Sequence, residues 1–251
     1  MDRYVESLGE DWISSAPRPQ DPTLSLNGEA QIKEVGQNIK KLIREPVKIL
    51  SSPLIRCIQS ATICSGEVRY PSTISVEYGL AEDAKSMRGR EPGEKKPVWT
   101  PLILDRRYLS EYSPILDTTP SMIEIHHERI QDGSYKNDVR EYLEDEPAIT
   151  DEGAVTLRRC QNLLKKIKSY LASKDIVTLV LVSHGAITKA LAAELQGGEN
   201  KILGKCQVAG WNVFDQDSKN PELFLPLFRE WQGPSYQGVE SKQDSITIKN
   251  K

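Results

Sequence analysis

The apolar positions of this chain follow two different periods in turn. From Gly28 to Glu45, Ile32, Val35, Ile39, Leu42 and Ile43 recur at helical spacing, and basic residues gather toward the end, where the helix dipole favours them. An amphipathic helix is predicted there. Val47 to Ser51 (VKILS) breaks that period as a short apolar run closed by Ser52-Pro53, which reads as an N-cap followed by proline at the first helical position. A strand thus feeds a helix directly. Ile74 to Gly79 (ISVEYG) alternates as a strand does, and Asp151 to Ser173 returns to a long helical pattern. Thr178 to Ser183 (TLVLVS) is the apolar, β-branched type buried inside parallel sheets, and a helix follows from Gly185 to Gln196. Gln207 to Asp215 and Leu223 to Trp231 predict further strands or an edge hairpin.

Strands alternating with helices argue for an α/β fold, a doubly wound, mostly parallel sheet flanked by helices, with ligands bound at the strand carboxyl ends. Residues 83–150 interrupt the alternation with prolines, glycines and a predicted helix from Ser121 to Gln131. They read as an insertion over the strand carboxyl ends that sets access and specificity. Its candidate specificity residues are Arg88, Arg90, Trp99, Arg106, Arg107 and Tyr108, although a solvated lid surface explains most of them equally well. The first 24 residues show neither period, Ala16 to Pro22 reads as a loop by its prolines, and the polar tail from Gln232 is expected to fray. A length of 251 residues fits one domain over 1–251 with an insertion better than two independent domains.

With 38% apolar and 27% charged residues, the chain has the balance of a protein that folds in water. A net charge of -3 and no long Lys/Arg run argue against a nucleic-acid partner. No segment is apolar for long enough to be a signal peptide or a membrane span, so the expected compartment is the cytoplasm, with no membrane partner. Cys57, Cys64, Cys160 and Cys206 form no C-x-x-C pair, which suggests neither a zinc site nor a disulfide framework. Reduced, buried thiols are expected, with Cys57 and Cys64 on one face of a helix.

Three reactive side chains stand just past three predicted strand ends: Arg56 after VKILSSP, Glu82 after ISVEYGLA, and His184 after TLVLVS. Arg56 falls in the first turn of its helix and His184-Gly185 opens another, so both lie beside unsatisfied backbone N–H groups. That is how proteins hold a phosphate dianion. A carboxyl group beside such an anion is pushed toward its protonated form, which suits Glu82 to donate a proton to a leaving oxygen. Each residue alone has a plainer reading: a structural histidine, a solvated helix arginine, a loop carboxylate. Their shared position at strand ends, and the glycine after His184 that lets a ligand approach the backbone, point to phosphoryl chemistry.

At these residues the chain resembles the histidine phosphatase superfamily, whose fold is phosphoglycerate-mutase-like. DPTLSLNGEAQ at Asp21 to Gln31 is similar to its D-x-x-L-T-x-x-G-x-x-Q segment, SSPLIRCIQSA at Ser51 to Ala61 to its S-S-P-x-x-R-x-x-Q-T-A motif, and LVSHG at Leu181 to Gly185 to its second-histidine motif. Glu82 stands where the family carries its acid. The resemblance implies phosphomonoester hydrolysis through a phosphohistidine, with Arg56 and His184 holding phosphate, Glu82 and His184 catalytic, and no metal or organic cofactor.

The family's activity begins with an Arg-His-Gly motif at the end of the first strand. These 251 residues contain no such triplet, so the nucleophile and the first strand are expected to be missing. The opening MDRYVESLGEDWISSAPRP resembles what directly follows that motif in members related to the ecdysteroid-phosphate and T-cell-signalling phosphatases. Two readings follow: a phosphatase whose nucleophile lies outside this sequence, or a catalytically inactive pseudophosphatase that holds a phosphorylated small molecule or phosphoprotein. His126 and His127 point about 100° apart on the predicted insertion helix, so at most one faces the pocket, and a solvated helix face is the plainer account.

Overall fold

The computed structural model describes residues 21–44, 46–68, 73–82, 109–117, 152–172, 178–198, 202, 206–220 and 222–234. The predicted helix at 121–131 with His126 and His127, the six candidate specificity residues from Arg88 to Tyr108, most of the Ala16 to Pro22 loop and the tail beyond 234 lie outside them.

Helix α1 covers Leu26–Lys40 and starts before the apolar period does, because the Ser25 side chain caps it by accepting from the Gly28 N–H at 3.1 Å. It stops short of the predicted Glu45, and Leu42 beyond its end is exposed. Strand β1 (Val47–Ser51), helix α2 (Ile55–Glu67), strand β2 (Ile74–Val76) and a 3₁₀ turn (Tyr78–Leu80) follow. Then come α3 (Glu152–Ala172), β3 (Thr178–Val182), α4 (Gly185–Leu195), and the short strands β4 (Phe214–Gln216) and β5 (Phe224–Pro226). The predicted edge hairpin is present as the antiparallel pair β4–β5, with strands shorter than the sequence pattern implied.

The main sheet has the order β2-β1-β3 and is parallel throughout. Its central strand shows why helices cover both faces. Ile49 packs with Ala61 of α2, whereas the next residue, Leu50, points to the other face and joins Leu163 and Ile167 of α3 and Ile187 and Leu191 of α4. The fold class read from the alternation of elements is therefore correct. Among the described residues β3 pairs with β1 alone, and its five residues, four of them apolar, are half-buried rather than buried.

Two local expectations are corrected. Ser52 is not the N-cap of α2: the helix begins at Ile55 with Leu54 in the cap position and no side-chain cap from that residue. The orphan N–H of Ile55 instead donates to the Asp21 carboxylate at 2.8 Å, a partner from 34 residues away. The strand read as ISVEYG ends at Val76, because the buried Glu77 side chain accepts from the Gly79 N–H at 2.9 Å and turns the chain into the 3₁₀ segment. Of the interruption at 83–150, the described part, 109–117, runs beside β2. The Ile74 N–H donates to the Ile115 carbonyl and the Asp117 N–H to the Ile74 carbonyl, both at 2.9 Å. The Asp117 carboxylate receives Lys48, Thr73 and Ser75.

Candidate functional site

Parallel register sets Ser51, Val76 and Val182 level with one another at the carboxyl end of the sheet. The chain leaves all three strands at the same height. The ladder runs one step further, with the Ser52 N–H donating to the Val182 carbonyl at 2.9 Å and the Glu77 N–H to the Ser51 carbonyl at 2.8 Å. The Ser183 hydroxyl donates to the Leu80 carbonyl at 2.7 Å and ties the third exit to the second. Residues far apart in sequence are thereby fastened by two backbone bonds and one serine hydroxyl.

On this base the three predicted site residues meet. Arg56 Nη2 lies 3.1 Å from His184 Nδ1 and 3.7 Å from Glu82 Oε2, and Glu82 Oε2 lies 3.3 Å from His184 Nδ1. Side-chain exposure grades from 4% for His184 through 14% for Glu82 to 23% for Arg56, so the imidazole is the floor and the arginine the rim. Arg56 is in the first turn of α2, and His184 occupies the cap position of α4 without using its side chain as a cap. Gly185 is exposed, and a Cβ built on it would meet nothing within 4 Å. The open side of the cluster therefore faces the N–H groups that start α4.

Burial holds the His184 imidazole well below its ordinary titration range, and the charges of Arg56 and then Arg159 push the same way. The Glu82 carboxyl lies 3.3 Å from Nδ1, but the ring is neutral near pH 7 and the contact is not an ion pair. An oxyanion arriving beside Nδ1 would reverse the balance and draw a proton onto the ring. Cys57, whose sulfur is 3.6 Å from His184 Nε2, is no competing nucleophile, since burial pushes its thiol up to about 12.

Four residues of this site escaped the sequence reading of its chemistry. Asp21 enters the sequence argument only inside a resembling segment, yet its buried carboxylate caps α2 and lies 3.6 Å from Arg56 Nη1. Ser52 was read as a cap but lies 2.8 Å from His184 Nε2. Cys57 was read as packing. Arg159 looks like one more charge on the long α3 pattern, yet it is buried and donates to the Ala81 carbonyl at 2.7 Å, next to Glu82. No local signal marks such an arginine.

No curated protein matches the chain by sequence. Among solved structures, an ecdysone phosphate phosphatase from Bombyx mori in complex with tungstate is similar at 17% identity and a TM-score of 0.47. That alignment covers 73% of this chain but 60% of the silkworm protein, so the chain spans less than two thirds of that relative's length. A mycobacterial glucosyl-3-phosphoglycerate phosphatase is similar at 18% identity and a TM-score of 0.45, covering 85% of this chain and 86% of the other. The segment that supplies Asp21, Ser52, Arg56 and Glu82, residues 14–108, matches the sequence model of the histidine phosphatase superfamily (branch 1).

Proposed function

We propose that the cluster is the phosphate pocket of a phosphomonoester phosphatase lineage, the branch that the opening residues resemble. One observation carries the reading: Arg56, Glu82 and His184 converge within 3.7 Å of one another at the carboxyl end of a parallel sheet, beside the open start of a helix. Arg56 offers a charge-assisted fork to two phosphate oxygens, and His184 offers Nδ1, protonated as the dianion binds. Glu82 supplies the proton to the leaving oxygen. The ligand is a phosphorylated small molecule or a phosphorylated protein side chain.

In this lineage the phosphoryl group passes to a histidine in an Arg-His-Gly triplet, and the three histidines of this sequence include none in that setting. His184 is committed in this reading to holding the phosphate through Nδ1, with Nε2 against Ser52. This observation favours a second reading for the 251 residues on their own, that of a catalytically inactive phosphate-binding protein.

The two readings separate in one experiment: hydrolysis of an aryl phosphate at mildly acidic pH by the purified chain, with phosphate binding followed by calorimetry, and His184→Ala and Glu82→Ala variants alongside. Phosphate binding that is lost in His184→Ala supports the pocket in either form. Turnover that disappears in both variants would sink the inactive reading. Failure of the folded chain to bind phosphate at all would overturn both.

A further inference from the structure

The Ser52 hydroxyl, His184 and Glu82 lie in the order found in nucleophilic serine triads, with Oγ 2.8 Å from Nε2 and the carboxyl oxygen 3.3 Å from Nδ1. Ser52 is 0% exposed, however, so no ester phosphorus can reach its oxygen, and a nucleophilic role is excluded by access. The contact has a different consequence, which follows from the hydrogens.

A guanidinium has donors and no acceptor, so the Arg56 Nη2–H directed at His184 Nδ1 at 3.1 Å requires a lone pair on that nitrogen. In a neutral ring the proton then resides on Nε2. It needs an acceptor in a place closed to water, and the Ser52 oxygen at 2.8 Å is the near one. The Cys57 sulfur, at 3.6 Å from Nε2, is a weaker partner, and its own S–H lies 3.7 Å from the Ser183 carbonyl. Backbone bonds leave Ser52 little freedom to move away: its N–H donates to the Val182 carbonyl at 2.9 Å and its carbonyl accepts from the Ser51 hydroxyl at 3.0 Å.

We infer that Ser52 is a positioning residue whose hydroxyl oxygen accepts the Nε2–H of His184 and so keeps the Nδ1 lone pair turned toward the Arg56 N–H in the empty site. Its value to the site rests on the phosphate-pocket reading. The tautomer itself does not. Phosphate draws Arg56 toward its oxygens, and the vacated Nδ1 is then free to take a proton and donate it to the ligand. With the opposite tautomer, Nδ1–H would oppose the Arg56 N–H in the empty site.

The test is the two-bond ¹H–¹⁵N correlation spectrum of the imidazoles of the full chain at pH 7.5, with the His184 signals assigned by their loss in His184→Gln. The wild type is expected to show the Nε2–H tautomer without phosphate. Ser52→Ala is expected to give a mixture of tautomers, and to weaken binding of inorganic phosphate by about 3- to 10-fold, the equivalent of one ordinary hydrogen bond. Ser52→Thr, which keeps the hydroxyl, restores the tautomer, and Cys57→Ala leaves it unchanged. A wild-type Nδ1–H tautomer, or a Ser52→Ala protein that keeps pure Nε2–H, overturns the inference. If the wild type shows Nε2–H and loses it in Ser52→Ala while binding no phosphate, the positioning role stands and the functional reading falls.

Discussion

Replacing Arg56 by glutamine removes the cation of the cluster while keeping a polar side chain of similar reach. The guanidinium sits 3.6 Å from Asp21, 3.7 Å from Glu82 and 3.1 Å from His184, so its loss is felt in two independent ways. Each charge-assisted hydrogen bond to a phosphate oxygen contributes about 1.5 to 3 kcal/mol, so losing one weakens phosphate binding by about 10- to 100-fold, and losing a bidentate pair by more. The positive charge also helps to hold His184 below its ordinary range, after burial and ahead of Arg159, so its removal must raise that value toward normal. Arg56→Lys keeps the charge and loses the fork, and is expected to bind phosphate weakly while leaving His184 nearly where it was. Calorimetric titration with inorganic phosphate at pH 7.5 and an NMR titration of the His184 ring read the two effects separately. Folding should survive, because Asp21 keeps the Ile55 N–H as its donor. Unaltered phosphate affinity in Arg56→Gln would refute the assignment of the pocket, and an unmoved His184 titration would refute the electrostatic coupling.

Because the folded chain holds His184 below its unfolded value, the unfolded state binds more protons as pH drops through the usual histidine range. Stability is therefore expected to be fully present above about pH 6.5 and to decline below it, by at most about 1.4 kcal/mol per pH unit from this residue; denaturant titrations in which His184→Gln abolishes part of the slope check the sign. Burial pushes the thiols of Cys57 and Cys64 up to about 12 and that of Cys160 up to about 11, so all three should resist alkylation at pH 8 in the folded chain and react with Cys206 once guanidinium is added. Mass spectrometry counts the labels. Leu163 is completely buried in the core between α3, α4 and β1, and Leu163→Ala should destabilise the chain by about 2 to 5 kcal/mol in a chemical melt. A value under about 1 kcal/mol would mean that this core is not the one described.

What the sequence settles by itself is local or periodic. The apolar period of α1, the TLVLV run of β3 and the glycine after His184 each report a property of neighbouring residues: side-chain spacing, β-branching, backbone access. From the alternation of those elements the parallel sheet followed, and from the parallel sheet came the expectation that residues just past strand ends would meet. Arg56, Glu82 and His184 were legible on that ground. The rest depends on partners that are close in space and distant in the chain. Ser52 carries a strong local cap signal, but a histidine 132 positions later takes its hydroxyl, while the real cap of α2 comes from Asp21. The pattern of α3 gives Arg159 the look of a surface charge, and only the packing of α3 under the Glu82 turn buries it. Hydrogen bonds and buried charges choose their partners by distance in three dimensions, and the tautomer of His184 is set by two such partners, Ser52 and Arg56, that its own sequence neighbourhood does not contain.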